Sequence, residues 1–397
     1  MRIAIFHNIP SGGAKRVVYE HAKELSKTES IDLYRLSYTP ESFLDIRPMM
    51  KDVFTHPLRR IGKMKPFSYL AWVSKVIDYF WLDRVCRTMA KDIDKRSYDF
   101  VYVHQCEISH IPPLVRYLKT PTIVFCQEPW RFFYEPHTAP SFAPSLSPTL
   151  SRVNDILQWP SRYLLKILDR RNIRTASQII ANSYYSREYI HKAYGIFSKV
   201  NYLGVDTHKF FPQNKERENM VLAVGAIDAK KGYDFIIESL SLINISNRPL
   251  FIIVADRTSD NTNEQHLMNL SKEKKVALQI RSNVSENDLV DLYNSAKAVV
   301  YAPMMEPFGL VAIEAMACGT PVVGVKEGGL RESIIDGHNG LLIDRDPKKF
   351  AIALENLLTN DELWRSLHNK CRQSVLDRFT WEKSTEQLLE YFKELKR

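Results

Sequence analysis

Glu306 and Glu314 stand eight positions apart, with Pro307, Gly309 and an apolar run between them. Upstream, Ala298-Val-Val-Tyr301 reads as a short buried strand. Pro307 suits the first turn of a helix, because its missing N–H would have had no helical partner there. That helix is expected to run through Ala312, Ala315, Met316 and Ala317 and to close at Gly319. The N–H groups of Phe308, Gly309 and Leu310 would then point beyond a strand end, where free donors and the helix dipole attract phosphate. Glu306 would face whatever group the phosphate carries, and Glu314, about two turns along, would reach a ribose diol. A phosphate site flanked by two hydroxyl-binding carboxylates suits a nucleotide sugar; the competing reading is a helix whose acids are merely solvated.

The stretch from Glu306 to Glu314, followed by Ala315-Met-Ala-Cys-Gly-Thr-Pro-Val-Val323, Gly328-Gly-Leu-Arg-Glu332 and Asp336-Gly-His-Asn-Gly-Leu-Leu342, resembles the retaining glycosyltransferases of family 4. The resemblance implies the GT-B fold: an α/β protein of two facing Rossmann-like domains with the active site in the cleft and a last helix crossing back to the first domain. It implies that Glu306 holds the donor sugar and Glu314 the ribose.

Further chemistry-bearing residues stand at strand ends. Ile9-Pro-Ser-Gly-Gly-Ala14 follows the opening strand and starts a helix; without the G-x-G-x-x-G spelling it suits a phosphate-friendly terminus and a plain tight turn equally. The resemblance makes Gly12 and Gly13 donor contacts. Thr122-Ile-Val-Phe-Cys126 delivers Gln127 to a strand end, where open α/β sheets place ligands. Family members often carry His there; Gln127 is expected to hold the sugar through its amide. In Gly225-Ala-Ile-Asp-Ala-Lys-Lys-Gly232, Lys231 matches the lysine that the family sets on the diphosphate, and Ala226 stands in place of an arginine. Lys230 is the candidate substitute cation. Val276-Ala-Leu-Gln-Ile280 reads as a strand, and Arg281 after it falls where the family frames the base.

These positions divide the chain into an acceptor-side domain over 1–205, a linker over 206–219, a nucleotide-sugar domain over 220–379 and a returning helix over 380–397. Charge follows the same division. Residues 1–200 carry 30 Lys+Arg and 18 Asp+Glu, a net of +12, whereas the remainder of the +9 chain nets −3. A basic first half implies an anionic partner there, either a membrane surface or an anionic glycan. Residues 56–75 interleave Arg59, Arg60, Lys63 and Lys65 with Phe67 and Trp72, which suits a membrane interface as well as it suits a solvated loop. Prolines 136, 140, 144 and 148 exclude a regular helix and suit an acceptor-side loop or lid as well as they suit an inert surface loop.

The five cysteines have no Cys-x-x-Cys spacing, which points to a reducing, cytoplasmic compartment. No apolar run is long enough to span a bilayer. Asp-x-Asp occurs at Asp92/Asp94 and Asp344/Asp346, but neither pair follows a buried strand in the way a metal-dependent transferase needs. The chain is therefore expected to use no metal and no cofactor beyond its co-substrate, a UDP- or GDP-sugar. The expected function is retaining hexosyl transfer to a glycan or lipid-linked acceptor in polysaccharide or glycolipid synthesis, by a cytoplasmic enzyme peripheral to the membrane. The rivals are a nucleotide-sugar 2-epimerase of the same fold and a non-catalytic binder of nucleotide sugar or nucleic acid. No nucleic-acid module is spelled, so nucleic acid is not an expected partner.

Overall fold

The computed structural model describes residues 1–39, 41–61, 69–135, 148–255 and 261–396, without the side chains of 69–72, 148–155 and 261. Lys63, Lys65 and Phe67, the Trp72 side chain, and prolines 136, 140 and 144 lie outside that description. The contacts divide the chain into two units, at Asn201/Tyr202 and again at Lys383/Ser384. Residues 206–219 are counted with the second unit, and residues 384–397 with the first.

The first unit contains β1 (Arg2–Asn8), α1 (Gly13–Leu25), β2 (Ser30–Leu36), β3 (Val53–His56), α2 (Tyr69–Asp94), β4 (Phe100–Cys106), β5 (Thr122–Phe125), α3 (Arg131–Tyr134), α4 (Pro148–Ile173), β6 (Gln178–Ala181), α5 (Tyr184–Tyr194) and β7 (Lys199–Val200). Its seven strands pair in the order β3-β2-β1-β4-β5-β6-β7, all parallel. The strands are near-continuous apolar runs, as a sheet covered on both faces requires; Phe100, Val101, Tyr102 and Val103 are all buried.

The second unit contains β8 (Glu218–Val224), α6 (Tyr233–Ser241), β9 (Leu250–Ala255), α7 (Asn261–Glu273), β10 (Leu278–Ser282), α8 (Glu286–Ser295), β11 (Ala296–Tyr301), α9 (Leu310–Ala317), β12 (Val322–Val325), α10 (Leu330–Ser333), β13 (Gly340–Ile343), α11 (Pro347–Thr359) and α12 (Asp361–Arg378). Its six strands pair in the order β10-β9-β8-β11-β12-β13, again all parallel. Every strand therefore ends on one edge of its sheet, and the loops that leave β8 and β11, neighbours in the order, leave side by side.

α13 (Trp381–Lys396) carries the chain back to the first unit. Phe392 packs its ring on Phe100 and Tyr102. The Tyr391 hydroxyl donates to the Val200 carbonyl at 2.8 Å, and Lys396 pairs with Asp99 at 2.7 Å. Ser384 is gripped from two sides: Asn201 Nδ2 donates to its carbonyl at 2.7 Å, and its hydroxyl lies 3.0 Å from His21 Nε2. The other ring nitrogen of His21 lies 2.9 Å from the Tyr102 hydroxyl. No helix among the described residues is long and apolar enough to cross a membrane.

Two predictions follow from this packing. A Cβ on Gly329 would come within 2.1 Å of the Pro307 carbonyl oxygen, and one on Gly328, at φ +56°, within 2.4 Å of the Glu306 carbonyl oxygen. Gly328→Ala or Gly329→Ala should therefore cost about 1–3 kcal/mol, as overpacking does, and should weaken ligand binding next to Glu306; denaturant melts at wild-type midpoint would contradict this. The second concerns acid. Burial pushes the His21 imidazole down to about 3, and holds His7 and His104 well below their usual range. Unfolded histidines titrate near 6.5, so between these values the unfolded chain binds more protons than the folded one. Stability is complete above about pH 6.5 and falls as pH drops below it, at up to about 1.4 kcal/mol per pH unit from His21 alone. Urea melts at pH 7 and pH 5 measure the difference, and His21→Gln should reduce it.

Candidate active site

Gly232 is the hinge on which the two loops of the site meet. It sits at φ +70°, and a Cβ there would come within 2.2 Å of the Ala302 carbonyl oxygen, one residue past β11. Asp228 accepts from the Lys230 N–H at 2.8 Å and turns Ala229–Lys231 into a single 3-10 turn. The Met304 N–H then donates to the Lys230 carbonyl at 2.7 Å. With the loops laid together, Lys231 Nζ donates to Glu306 Oε2 at 3.2 Å. Both side chains keep solvent access, 29% for the lysine and 17% for the glutamate. The stem of Lys231 runs over Gly225, where an added Cβ would lie 3.5 Å from the lysine Cε.

Glu306 is placed by its backbone. Met305 before it is in the left-handed region at φ +51°, and the Gly329 N–H donates to the Glu306 carbonyl at 2.8 Å. Arg345, from the loop after β13, braces the same turn: it donates to the carbonyls of Ala302 and Pro303, each at 3.1 Å, and pairs with Glu327 at 2.8 Å. Nothing in the local sequence marks Arg345 for this task, because its targets lie some forty residues upstream.

The helix begins later than its proline suggests. α9 starts at Leu310, with Gly309 at φ +92° as its N-cap and no capping side chain. Pro307 lies outside the helix because its carbonyl and the neighbouring Glu306 backbone are packed against Gly328 and Gly329. The N–H groups of Phe308, Gly309, Leu310 and Val311 donate to no protein acceptor among the described residues. The three expected donors are thus open, but Phe308 and Gly309 precede the helix rather than start it. The Phe308 ring is core, packed on Tyr202 and Phe379.

Glu314 lies one turn into α9, not two, and is 7% exposed. The Tyr293 hydroxyl of α8 donates to its Oε2 at 2.9 Å. Burial, then the charge of Glu314, pushes the Tyr293 phenol well above its usual range. The Tyr301 phenol is raised in the same way by burial and by Glu306, and that of Tyr233 by burial, Glu306 and Asp228. These phenols therefore stay protonated, and toward a carboxylate such a hydroxyl donates, as Tyr293 does to Glu314; that of Tyr233 donates to the Gly225 carbonyl at 2.9 Å. The thiol of Cys318, one turn beyond Glu314, is pushed up to about 12, by burial first and then by Glu314.

Arg281 departs from expectation. It falls inside β10, at the edge of the sheet and three strands from β11, and its guanidinium hydrogen-bonds the side chain of Gln279 at 3.0 Å. At about 4.8 Å per strand, that register takes it away from the Lys231–Glu306 pair. It lines a separate groove of about 640 Å³ with Lys215, Glu218, Asp288 and Asp291. Lys230 is tied by its backbone on both sides, and the ion pair belongs to its neighbour.

In the first unit, Gly12 at φ +84° caps α1 with open space where a Cβ would be. Gln127 Nε2 lies 3.5 Å from the Ala14 carbonyl, so the strand-end glutamine and the glycine turn are neighbours. Behind the turn, Lys15 is fully buried, 2.7 Å from Glu41 and 3.2 Å from His7 Nε2. Burial lowers the Lys15 ammonium from its usual range, against the opposing pull of Glu41. This buried pair was legible in part: the stripe Leu25, Ala22 and Val18, continued back by one turn, arrives at Lys15.

The comparisons agree with this architecture. The family model described as Glycosyltransferase Family 4 matches residues 11–209, and that described as Glycosyl transferases group 1 matches residues 205–374. Mannosylfructose-phosphate synthase of Agrobacterium fabrum is 28% identical over 239 residues, 54% of this chain and 52% of that protein, so the chain spans about half the length of such a curated relative. Among solved structures, sucrose-phosphate synthase from Thermosynechococcus elongatus superposes with a TM-score of 0.76 over 99% of this chain and 98% of that one, at 18% identity. Anabaena HepE in complex with UDP and glucose gives 0.68 over 99% and 100%, also at 18% identity. The fold is GT-B, and the chain belongs to glycosyltransferase family 4.

Proposed function

We propose that this protein transfers a hexose from a nucleotide diphosphate sugar, a UDP- or GDP-sugar, to a glycan or lipid-linked acceptor with retention of anomeric configuration. The observation that carries the reading is the Lys231–Glu306 pair beside the open N–H groups of 308–311, with Glu314 one turn further on. An ammonium and a set of backbone donors suit a diphosphate leaving group, whose charge grows as the bond from the anomeric carbon to the phosphate oxygen breaks. Glu306 accepts from sugar hydroxyls. Glu314, oriented by Tyr293, accepts from the ribose. A solved structure of the same fold holds UDP and glucose, ligands of this chemical kind. Among the described residues no carboxylate is assigned as a nucleophile, which favours attack by the acceptor oxygen on the face the diphosphate leaves.

Gly12, Gly13 and Gln127 are assigned to donor binding and sugar positioning as a separate part of this proposal. We further place the enzyme in the cytoplasm, peripheral to the membrane. The free and buried state of all five cysteines fits a reducing compartment.

Turnover with a nucleotide-sugar panel tests the assignment. Glu306→Gln and Lys231→Met should each lower kcat by about 10²–10³-fold, the scale of losing one preorganised stabilising group. Glu314→Gln should act mainly on KM for the donor, because the ribose is unchanged in the reaction. Gln127→Ala should lower kcat at an unchanged melting temperature. Wild-type kinetics in all four would remove the site.

The reaction is proposed to need no metal ion. The candidate carboxylates are engaged elsewhere: Asp94 accepts from the N–H groups of Lys119 and Thr120, Asp92 pairs with Arg96, Asp344 with Lys349, and Asp346 caps α11. Activity should survive exhaustive chelation; a loss that magnesium or manganese restores would refute it.

A further inference from the structure

Nine of the eighteen large apolar side chains exposed among the described residues stand on two helices, α2 and α4. A scatter of single apolar residues is ordinary on a protein surface; a concentration of this kind marks a contact surface. On α4, Ile156 is 72% exposed and Trp159 62%, and the rings of Trp159 and Tyr163 stack at 5.2 Å. Ile167 continues the stripe. On α2, Ile77, Phe80 and Trp81 form its counterpart. The helices pack together through Tyr79 and Leu165, with Asn172 Nδ2 donating to the Tyr79 hydroxyl at 3.2 Å, so the two stripes belong to one face of the unit.

Both helices interleave cations with these residues and continue them past the last exposed aromatic at helical spacing: Lys75, Arg84, Arg87 and Lys91 on α2, and Arg162, Lys166, Arg170 and Arg171 on α4. Among the described side chains of these helices, Asp78 and Asp169 are buried; Asp83, Asp92 and Asp94 of α2 are partly exposed, Asp83 pairing with Arg87 and Arg116 and Asp92 with Arg96, so cations outnumber exposed acids on the face. The direction of the helices is fixed by the sheet. Asp94, at the end of α2, accepts from the N–H of Thr120 just before β5, and α4 ends at Ile173 shortly before β6. Both helices therefore end at the edge where the strands begin. The exposed aromatic residues Phe80, Trp81, Trp159 and Tyr163, at mid-helix, lie nearer than Lys91, Arg170 and Arg171 to the edge where the strands finish, the edge that carries Gly12, Gly13 and Gln127.

We infer that the α2–α4 face docks on an anionic lipid surface, with its exposed aromatic residues entering the interfacial layer and the cations meeting lipid phosphates. Trp, Tyr and Ile next to a surplus of cations match the interfacial region of a bilayer. A protein partner would call for a charge-depleted centre with a polar rim of both signs. The orientation brings the strand-end side of the unit to the membrane, the side from which a lipid-linked acceptor would be taken; in that respect alone the inference rests on the proposed transfer reaction.

The test is co-sedimentation of the full chain with vesicles of phosphatidylglycerol and phosphatidylcholine, against vesicles of phosphatidylcholine alone. Binding to the anionic vesicles is expected, weakening as salt rises. Trp159→Ser with Ile156→Ser should reduce partitioning more than tenfold, and Arg170→Gln with Arg171→Gln by about fivefold per cation. All four positions are exposed, so melting temperature and the thermal shift given by UDP-glucose should stay at wild-type values. Glu306→Gln should bind vesicles normally while losing turnover, which separates this surface from the reaction. Absence of binding to either vesicle, equal binding to both, or binding indifferent to the substitutions would overturn the inference. So would concentration-dependent self-association abolished by Trp159→Ser without vesicle binding, which would identify the face as a contact between copies.

Discussion

The arrangement of the site depends on places where backbone meets backbone with no side chain between. Gly232 on Ala302, Gly328 on Glu306 and Gly329 on Pro307 are contacts at which an added Cβ would lie 2.1–2.4 Å from a carbonyl oxygen. Rigid main chain therefore sets the separation of the lysine loop from the glutamate loop, and flexible side chains do not. A lysine and a glutamate on long stems form a strong contact only if their Cα positions are held for them, since fixing such side chains costs conformational entropy. Here the entropy is removed at the level of the fold. Arg345 and the left-handed Met305 complete the restraint from the other side.

A second layer of order is electrostatic. Tyr233, Tyr293 and Tyr301 all have phenols driven upward by burial and by nearby carboxylates. A buried phenol beside a carboxylate stays protonated and donates, so it fixes an anion without competing for a proton in the working pH range. Glu314 shows the consequence. One of its oxygens is taken by Tyr293 at 2.9 Å, and the whole side chain is nearly closed to solvent. Such a carboxylate offers a directed acceptor rather than a mobile charge.

Most of the fold was legible because parallel strands are buried on both faces and read as short apolar runs between turns. Val299 and Val300 or Val221 and Leu222 leave little alternative. The glutamates and Lys231 were legible through motif and resemblance together. The start of α9 was not: Pro307 is a good first-turn residue locally, but the glycines that exclude it from the helix lie more than twenty positions downstream. Arg281 shifted from loop to strand because β10 runs two residues past the apolar segment, paired to β9 as far as Ser282. The apolar face of α2 and α4 escaped notice for a related reason. Both sequences are apolar enough to be core, and only the packing shows which of their residues the core does not take.

The second unit begins at Tyr202 and ends at Lys383, and its two ends touch: Gly204 has room for no Cβ beside Thr380, and the Val205 N–H donates to the Phe379 carbonyl. The chain thus interrupts one folding unit to build another and then returns to finish the first. On a ribosome, order of synthesis and order of completion would be reversed. The second unit has all its strands before residue 384 exists, whereas the first waits for Ser384 and Phe392 to cover His21, Phe100 and Tyr102. Domains usually fold in the order they emerge. This one would spend the interval with part of its core uncovered, a period in which chaperone binding or misassembly has its best opportunity.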